Sequence, residues 1–200
     1  MTGVILAGGQ SRRMGRDKAL VSLEGKPLIQ WVLDALSRVC DPVLIVTNSP
    51  APYSFLGAEM VADLFPGRGA MAGIHAGLFF CRTDRAFVVG CDMPLLNPDL
   101  VRFMARLHGP WDVTVPRIGD FLEPLHAVYS KRCLGPVERL LASGARRILD
   151  LYPLVRVRQL NEEEVRRVDP ELRSLMNVNT PEDLKLLHSL VSQNAPVSSL

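Results

Sequence analysis

The sequence predicts an α/β fold: a three-layer, doubly wound, mostly parallel sheet with helices on both faces. Three observations carry this. The chain has 200 residues, enough for one compact domain with a sizeable core. Short apolar runs alternate with amphipathic stretches through its first half, a βαβα order. The runs are uninterrupted rather than period-two, as strands buried on both faces require.

In chain order, GVILA supplies a first strand. PLIQWVLDALSRV follows as a helix in which Leu28, Trp31, Val32, Ala35, Leu36 and Val39 recur at helical spacing and form a core face. VLIVT is the second strand. A short strand then ends at Asp63, and the small residues of AMAGIHAGLFF suit a helix packed closely on the sheet. AFVVG, PDLVRFMARL and DVTVP continue as strand, helix and strand. Beyond Pro116, the segments LHAVY, CLGPVERLLA, RRILDLY and LVRVRQL mix short strands and helices without a single period. The charges of EEEVRR read as a solvated, ion-paired helix face. Thr180-Pro181-Glu182-Asp183 combines an N-cap, a proline at the first helical position and first-turn acid, which predicts a last helix from Pro181 to about Val191. With no repeat or linker to divide the chain, a single domain over 1–192 and a frayed tail over 193–200 are expected.

Composition narrows the function. Hydrophobic residues make up 48%, charged residues 22%, and the net charge is +2, so there is no basic excess of the kind nucleic-acid binding demands. No stretch reaches the roughly 18 apolar residues of a membrane span. Cys40, Cys81, Cys91 and Cys133 lack C-x-x-C spacing and read as structural thiols in a reducing cytoplasm. The expected partner is a small molecule rather than nucleic acid or membrane.

The densest chemistry follows the first strand, in LAGGQSRRMGRDK. In a parallel sheet the ligand crevice lies beyond the carboxyl ends of the strands, which is where this loop must turn. Gly8 and Gly9 let main-chain N–H groups approach an anion closely, while Arg13 and Lys18 add full positive charge for phosphate oxygens. Five residues separate Gly9 from Gly15 and Arg16-Asp17-Lys18 follows, so the spacing is not Walker A, and no G-x-G-x-x-G is present. A second carboxylate, Asp92, ends the apolar strand in VVGCDMP. It is placed either to hold Mg²⁺ against phosphates or to cap a turn. Asn48 follows VLIVT and admits nucleotide-contact and turn-capping roles, and Asp63 ends a short strand ahead of a glycine-bearing turn. Asn177 and Asn179 in NVNTPEDL supply neutral donors and acceptors, for an acceptor substrate, for metal-bound water or for the turn itself. His126 in EPLHAVYS reads as a packing or solvated residue rather than a catalyst.

These stretches resemble a known family. L-A-G-G-x-S-x-R-M-G-x-D-K-A is similar to the signature loop of the molybdenum cofactor guanylyltransferases, and related cytidylyltransferases tend to carry L-A-A-G instead. C-D-x-P at Cys91–Pro94 and N-V-N-T-P-E-D at 177–183 match further segments. VADLFPGRGAMAGI resembles D-x-x-x-x-G-P-L-A-G-I but carries an Arg68-Gly69 insertion, and Ala70-Met71 stands in place of Pro-Leu. The likeness spans nearly the whole chain and is weakest between Arg117 and Asp169. It implies a Rossmann-like nucleotidyltransferase fold that moves GMP from GTP to molybdopterin, with or without molybdenum. Leu6, Ala7, Gly8, Gly9, Lys18, Asn48, Asp63 and Asp92 would contact the nucleotide and Asp92 would hold Mg²⁺. Arg13, Lys18 and Asp92 would serve catalysis, with Asn177 and Asn179 on the acceptor. Molybdoenzyme apoproteins or cofactor-biosynthesis proteins are its implied protein partners. The alternatives are a cytidylyl- or other nucleotidyltransferase with a different phosphorylated acceptor, and a non-catalytic carrier of the pterin cofactor.

Overall fold

The computed structural model describes residues 1–8 and 17–193. Ten strands are present among them: β1 (Thr2–Leu6), β2 (Ser22–Leu23), β3 (Lys26–Pro27), β4 (Val43–Val46), β5 (Glu59–Val61), β6 (Arg85–Gly90), β7 (Val113–Ile118), β8 (Phe121–Leu122), β9 (His126–Ser130) and β10 (Val157–Leu160). The helices are α1 (Leu28–Leu36), α2 (Ala70–Phe80), α3 (Pro98–Arg106), α4 (Leu134–Ala142), α5 (Glu162–Arg166) and α6 (Pro181–Gln193). The main sheet has the order β10-β7-β9-β6-β1-β4-β5, with β8 paired to β7, and β2 and β3 form a separate hairpin. β1 runs parallel to both β4 and β6. Only β9 runs against the sheet along this order, antiparallel to β6 and β7.

The apolar runs have a direct structural reason. In β1, Val4 faces one core and Ile5 the other; Ala86 and Val88 of β6 oppose Phe87 and Val89 in the same way. One face is covered by α1, α3 and α5, the other by α2 and α4. A polar residue at any of these positions would be buried whichever way it pointed. The expected face of α1 holds through Leu36: Leu28, Val32 and Leu36 are fully buried and Trp31 and Ala35 half-buried, with Ile29 and Leu33 widening the stripe, whereas Val39, also half-buried, lies in the turn beyond the helix end. α2 lies close on β1 because it presents glycine there. A Cβ on Gly77 would come 2.6 Å from Val4 Cγ1.

A third apolar cluster explains how the two chain ends meet. Leu187 of α6 and Val178 pack on Leu23 and Leu28, bringing 176–191 against the hairpin that follows the first loop. α6 starts as the sequence predicts. Asp183 N–H donates to Thr180 Oγ1 at 3.1 Å while Asp183 Oδ2 accepts from Thr180 N–H at 2.8 Å, a reciprocal cap. The helix runs to Gln193, two residues beyond the expected end.

Candidate active site

The chain leaves β1 for β4 and β5 on one side and for β6 on the other, so the sheet order reverses around β1. The crevice at this switch point encloses about 1120 Å³. Leu6, Ala7, Gly8, Asp17, Lys18, Asn48, Tyr53, Asp63, Gly90 and Asp92 are among its lining residues. Its floor is held by main-chain bonds that prolong the sheet: Ala7 N–H donates to Val46 O at 3.0 Å and Cys91 N–H to Leu6 O at 3.2 Å. Among the described residues a Cβ at Gly8 would meet nothing within 4 Å, and Gly8 lines the crevice.

Asp92 sits where β6 ends. A Cβ on Gly90 would lie 2.6 Å from Asp92 Oδ1, so the carboxylate occupies the space a side chain there would need. Its side chain is 22% exposed, and the Asp92 main-chain carbonyl accepts from Val178 N–H at 2.9 Å. Burial pushes the carboxyl above the usual carboxylate range, and Lys18, 3.7 Å away, offsets only part of that cost. Lys18 Nζ in turn donates to Asn179 Oδ1 at 2.6 Å. Asn179 main-chain N–H donates to Asp183 Oδ2 at 2.8 Å, which ties the asparagine to the α6 cap.

On the opposite wall, Asp63 main-chain N–H donates to Asn48 Oδ1 at 2.9 Å. With that oxygen engaged, the Asn48 amide N–H₂ has no hydrogen-bond partner among the described residues. Asp63 Oδ1 accepts from Phe65 N–H at 2.7 Å, leaving Oδ2 without a partner among the described residues. The two side chains together offer a donor and an acceptor to one ligand edge.

Most of the expected site residues thus converge: Leu6, Ala7, Gly8, Lys18, Asn48, Asp63 and Asp92 line one crevice. Gly9 and Arg13 lie outside the described residues. Asn179 reaches the site through Lys18, whereas Asn177 is absent from the lining and donates locally to Leu175 O at 3.4 Å. His126 is fully buried with its ring edge-on to Phe87 at 5.0 Å, and burial lowers its pKa to about 3. That agrees with packing and leaves no poised base. Burial, and then the Asp92 charge, push the Cys91 thiol far up, so it offers no thiolate. Sequence reasoning missed Asp17 and Tyr53, although Asp17 stands inside the signature loop itself.

Among the described residues, no three His, Cys, Asp or Glu side chains gather into a metal cluster. A single carboxylate fits Mg²⁺, which commonly binds through one or two protein carboxylates plus substrate phosphates and water. The incompletely compensated charge of Asp92 suits such a cation.

Residues 3–162 match the model of the MobA-like NTP transferase domain. A molybdenum cofactor guanylyltransferase of Desulfosudis oleivorans is 42% identical over 92% of this chain and 93% of its own length. A probable molybdenum cofactor guanylyltransferase of Pelotomaculum thermopropionicum is 43% identical over 92% of this chain and 89% of its own. The crystal structure of molybdopterin-guanine dinucleotide biosynthesis protein A from Archaeoglobus fulgidus superposes with a TM-score of 0.83 at 33% identity, covering 96% of this chain and 100% of that one. The chain belongs to the MobA-like NTP transferase family.

Proposed function

We propose that the chain transfers GMP from GTP to the terminal phosphate of molybdopterin, releasing pyrophosphate and forming the guanine dinucleotide. The observation that carries this reading is the meeting of Lys18 and Asp92 across the switch point, beside the open main chain of Gly8. The family relationship supplies the choice of nucleotide and acceptor.

The acceptor phosphate is a monoester with a second pKa near ~6, so at neutral pH it is already largely dianionic and needs no strong general base. The lack of a poised His or Cys in the crevice is consistent with that. What remains is bringing two anions together. Lys18 supplies a fixed positive charge for phosphate oxygens, and the main chain at Gly8 can approach them closely. Asn48 and Asp63 orient the nucleoside with one donor and one acceptor, a set that guanine or ribose can fill. Asp92 would hold Mg²⁺, which offsets phosphate charge when bound.

The free thiols of Cys40, Cys81, Cys91 and Cys133 suit a reducing cytoplasm. Among the described residues no helix is long and apolar enough to cross a membrane.

The test is incubation with Mg²⁺, molybdopterin and each of the four nucleoside triphosphates, followed by product mass. GTP should be used in preference to CTP, and inosine triphosphate, which lacks only the exocyclic amine, should show a lower kcat/KM than GTP. An unpaired buried acceptor costs roughly 1–3 kcal/mol, or about 5- to 150-fold. Equal kcat/KM for GTP and CTP would remove the guanylyl assignment.

A further inference from the structure

Asp17 poses a problem for any phosphate site built around Lys18. A carboxylate immediately before the lysine, lining the same crevice, should repel the phosphates that the lysine attracts. The structure shows what becomes of it. One carboxylate oxygen, Oδ1, accepts from Ala19 N–H at 3.1 Å and caps the short 3-10 turn Lys18–Leu20. The other, Oδ2, accepts from the Tyr53 hydroxyl at 2.5 Å. Both oxygens are committed to donors from the protein.

Tyr53 is well placed for such a task. It belongs to the 3-10 helix Ala51–Leu56 that follows β4, its N–H donates to Pro50 O at 2.9 Å, and only 3% of the residue is exposed. Its ring packs in the core on the α1 face. The hydroxyl therefore reaches from the β4 side of the switch point to the loop that follows β1. Burial, reinforced by the bond to Asp17, pushes its ionisation upward, so it remains a donor at any working pH. Beyond Asp17 the chain of contacts continues into the transfer machinery, because Lys18 opens the turn that Asp17 caps and its Nζ reaches Asn179 and Asp92.

We infer that Tyr53 is a positioning residue for nucleotide transfer: its hydroxyl locks Asp17 as a strut, and the strut fixes where Lys18 meets the phosphates. This rests on the reading that Lys18 serves the transfer. Tyr53 also lines the crevice, but its hydroxyl is spent on Asp17, so on this inference its contribution exists only while Lys18 is present to be placed.

The experiment is a double-mutant cycle on the full chain, read by steady-state kcat and KM with whichever of the four nucleotides the wild-type protein transfers. Tyr53→Phe keeps the buried ring and removes only the hydroxyl. It should lower kcat about tenfold while KM for the nucleotide changes less than about threefold, the pattern of an interaction used chiefly in the transition state. In a Lys18→Ala background the same substitution should cost less than about twofold, because coupled residues are not additive. Asp17→Asn should match Tyr53→Phe and add little to it. Full kcat in Tyr53→Phe, or an equal loss with and without Lys18, would overturn the inference. Transfer of CTP rather than GTP would overturn the guanylyl reading, and the cycle would then be read with CTP.

Discussion

Two aspartates at opposite ends of the sheet show how differently the molecule treats a buried carboxylate. Asp112 precedes β7 at the end away from the crevice, where β9 finishes and β10 begins. Its side chain is 9% exposed, and it accepts from Arg132 Nε at 2.5 Å, Arg156 N–H at 3.0 Å and Arg156 Nε at 3.1 Å. Burial alone would raise its pKa, but the hydrogen bonds from Arg156 and Arg132 overturn that and hold the carboxyl well below the usual range. Asp92, at the crevice end, has one lysine at 3.7 Å and a pKa raised by burial. The first carboxylate is saturated with partners and stabilises the fold. The second retains unmet charge, which is what a cation or a phosphate-bound cation requires.

The largest expected effect comes from removing that unmet charge. Asp92→Asn keeps the side-chain size and should lower turnover at least ~10²-fold, while the melting temperature stays level or rises because a costly buried charge is gone. Steady-state kinetics at limiting Mg²⁺, paired with thermal unfolding, check both halves. Near-wild-type turnover would place Asp92 with the structural carboxylates.

Asp112→Asn should do the reverse. It leaves two half-exposed guanidinium groups without their shared anion, and the expected loss is about 2 kcal/mol, below the value for a fully buried pair because the arginines remain solvated. Well below the unfolding transition, kcat/KM should be unchanged. Denaturant unfolding and kinetics on one preparation separate the two outcomes.

Acid should reveal the same division. Asp112 has a lowered native pKa, so its stabilisation is present above the unfolded carboxylate value near ~3.9 and is lost as pH falls toward the native value. His126 adds to this earlier. Its native pKa of about 3 lies below its unfolded value, so from about pH 6.5 downward the unfolded chain takes up a proton that the native protein refuses. Stability should fall with a slope approaching about 1.4 kcal/mol per pH unit from this residue alone. In His126→Leu that part of the slope should vanish between pH 6 and 4, leaving the acid limb from Asp112 at lower pH. An unchanged slope would mean that His126 gains a proton in the native state.

Much of this was legible in the sequence, for physical reasons that also mark where legibility ends. β1, β4 and β6 are continuous apolar runs because both faces are covered, and such runs stand out. β9 is equally buried, yet it runs against its neighbours, and nothing in LHAVYS signals direction. α4 carries Gly135 and Pro136 in its first turn, which interrupt its apolar pattern, and α5 is five residues held by an Asn161–Glu164 capping box and paired charges, too short to establish a period. Within the site, Lys18, Asn48, Asp63 and Asp92 were readable because each follows a strand end or sits in a motif. The bond from Tyr53 to Asp17 was not, since the two are separated by 36 positions and a tyrosine in PAPYSFL looks like any core aromatic. Asn179 stands out in its motif as a donor and acceptor, but its bond to Lys18 spans 161 positions and leaves no local signal.

A third carboxylate sharpens the contrast with the smallest effect. Glu123 lies between β8 and β9, just before the crevice-lining Leu125, and is half-buried with no side-chain hydrogen bond or ion pair among the described residues. Burial alone raises its pKa. Its native pKa exceeds the unfolded one, so the native protein carries a cost above both values, and that cost is relieved as pH falls through the native pKa. Glu123→Gln keeps the shape and removes the charge, so it should stabilise the protein at neutral pH by up to about 1 kcal/mol, a rise of a few degrees for a chain of this length. The gain should fade as pH is lowered toward 4, where the wild-type side chain is itself becoming neutral. Melting curves of both proteins at pH 7 and pH 4 read the difference. A variant less stable than wild type at pH 7 would mean that Glu123 is anchored like Asp112 rather than left short of partners as Asp92 is.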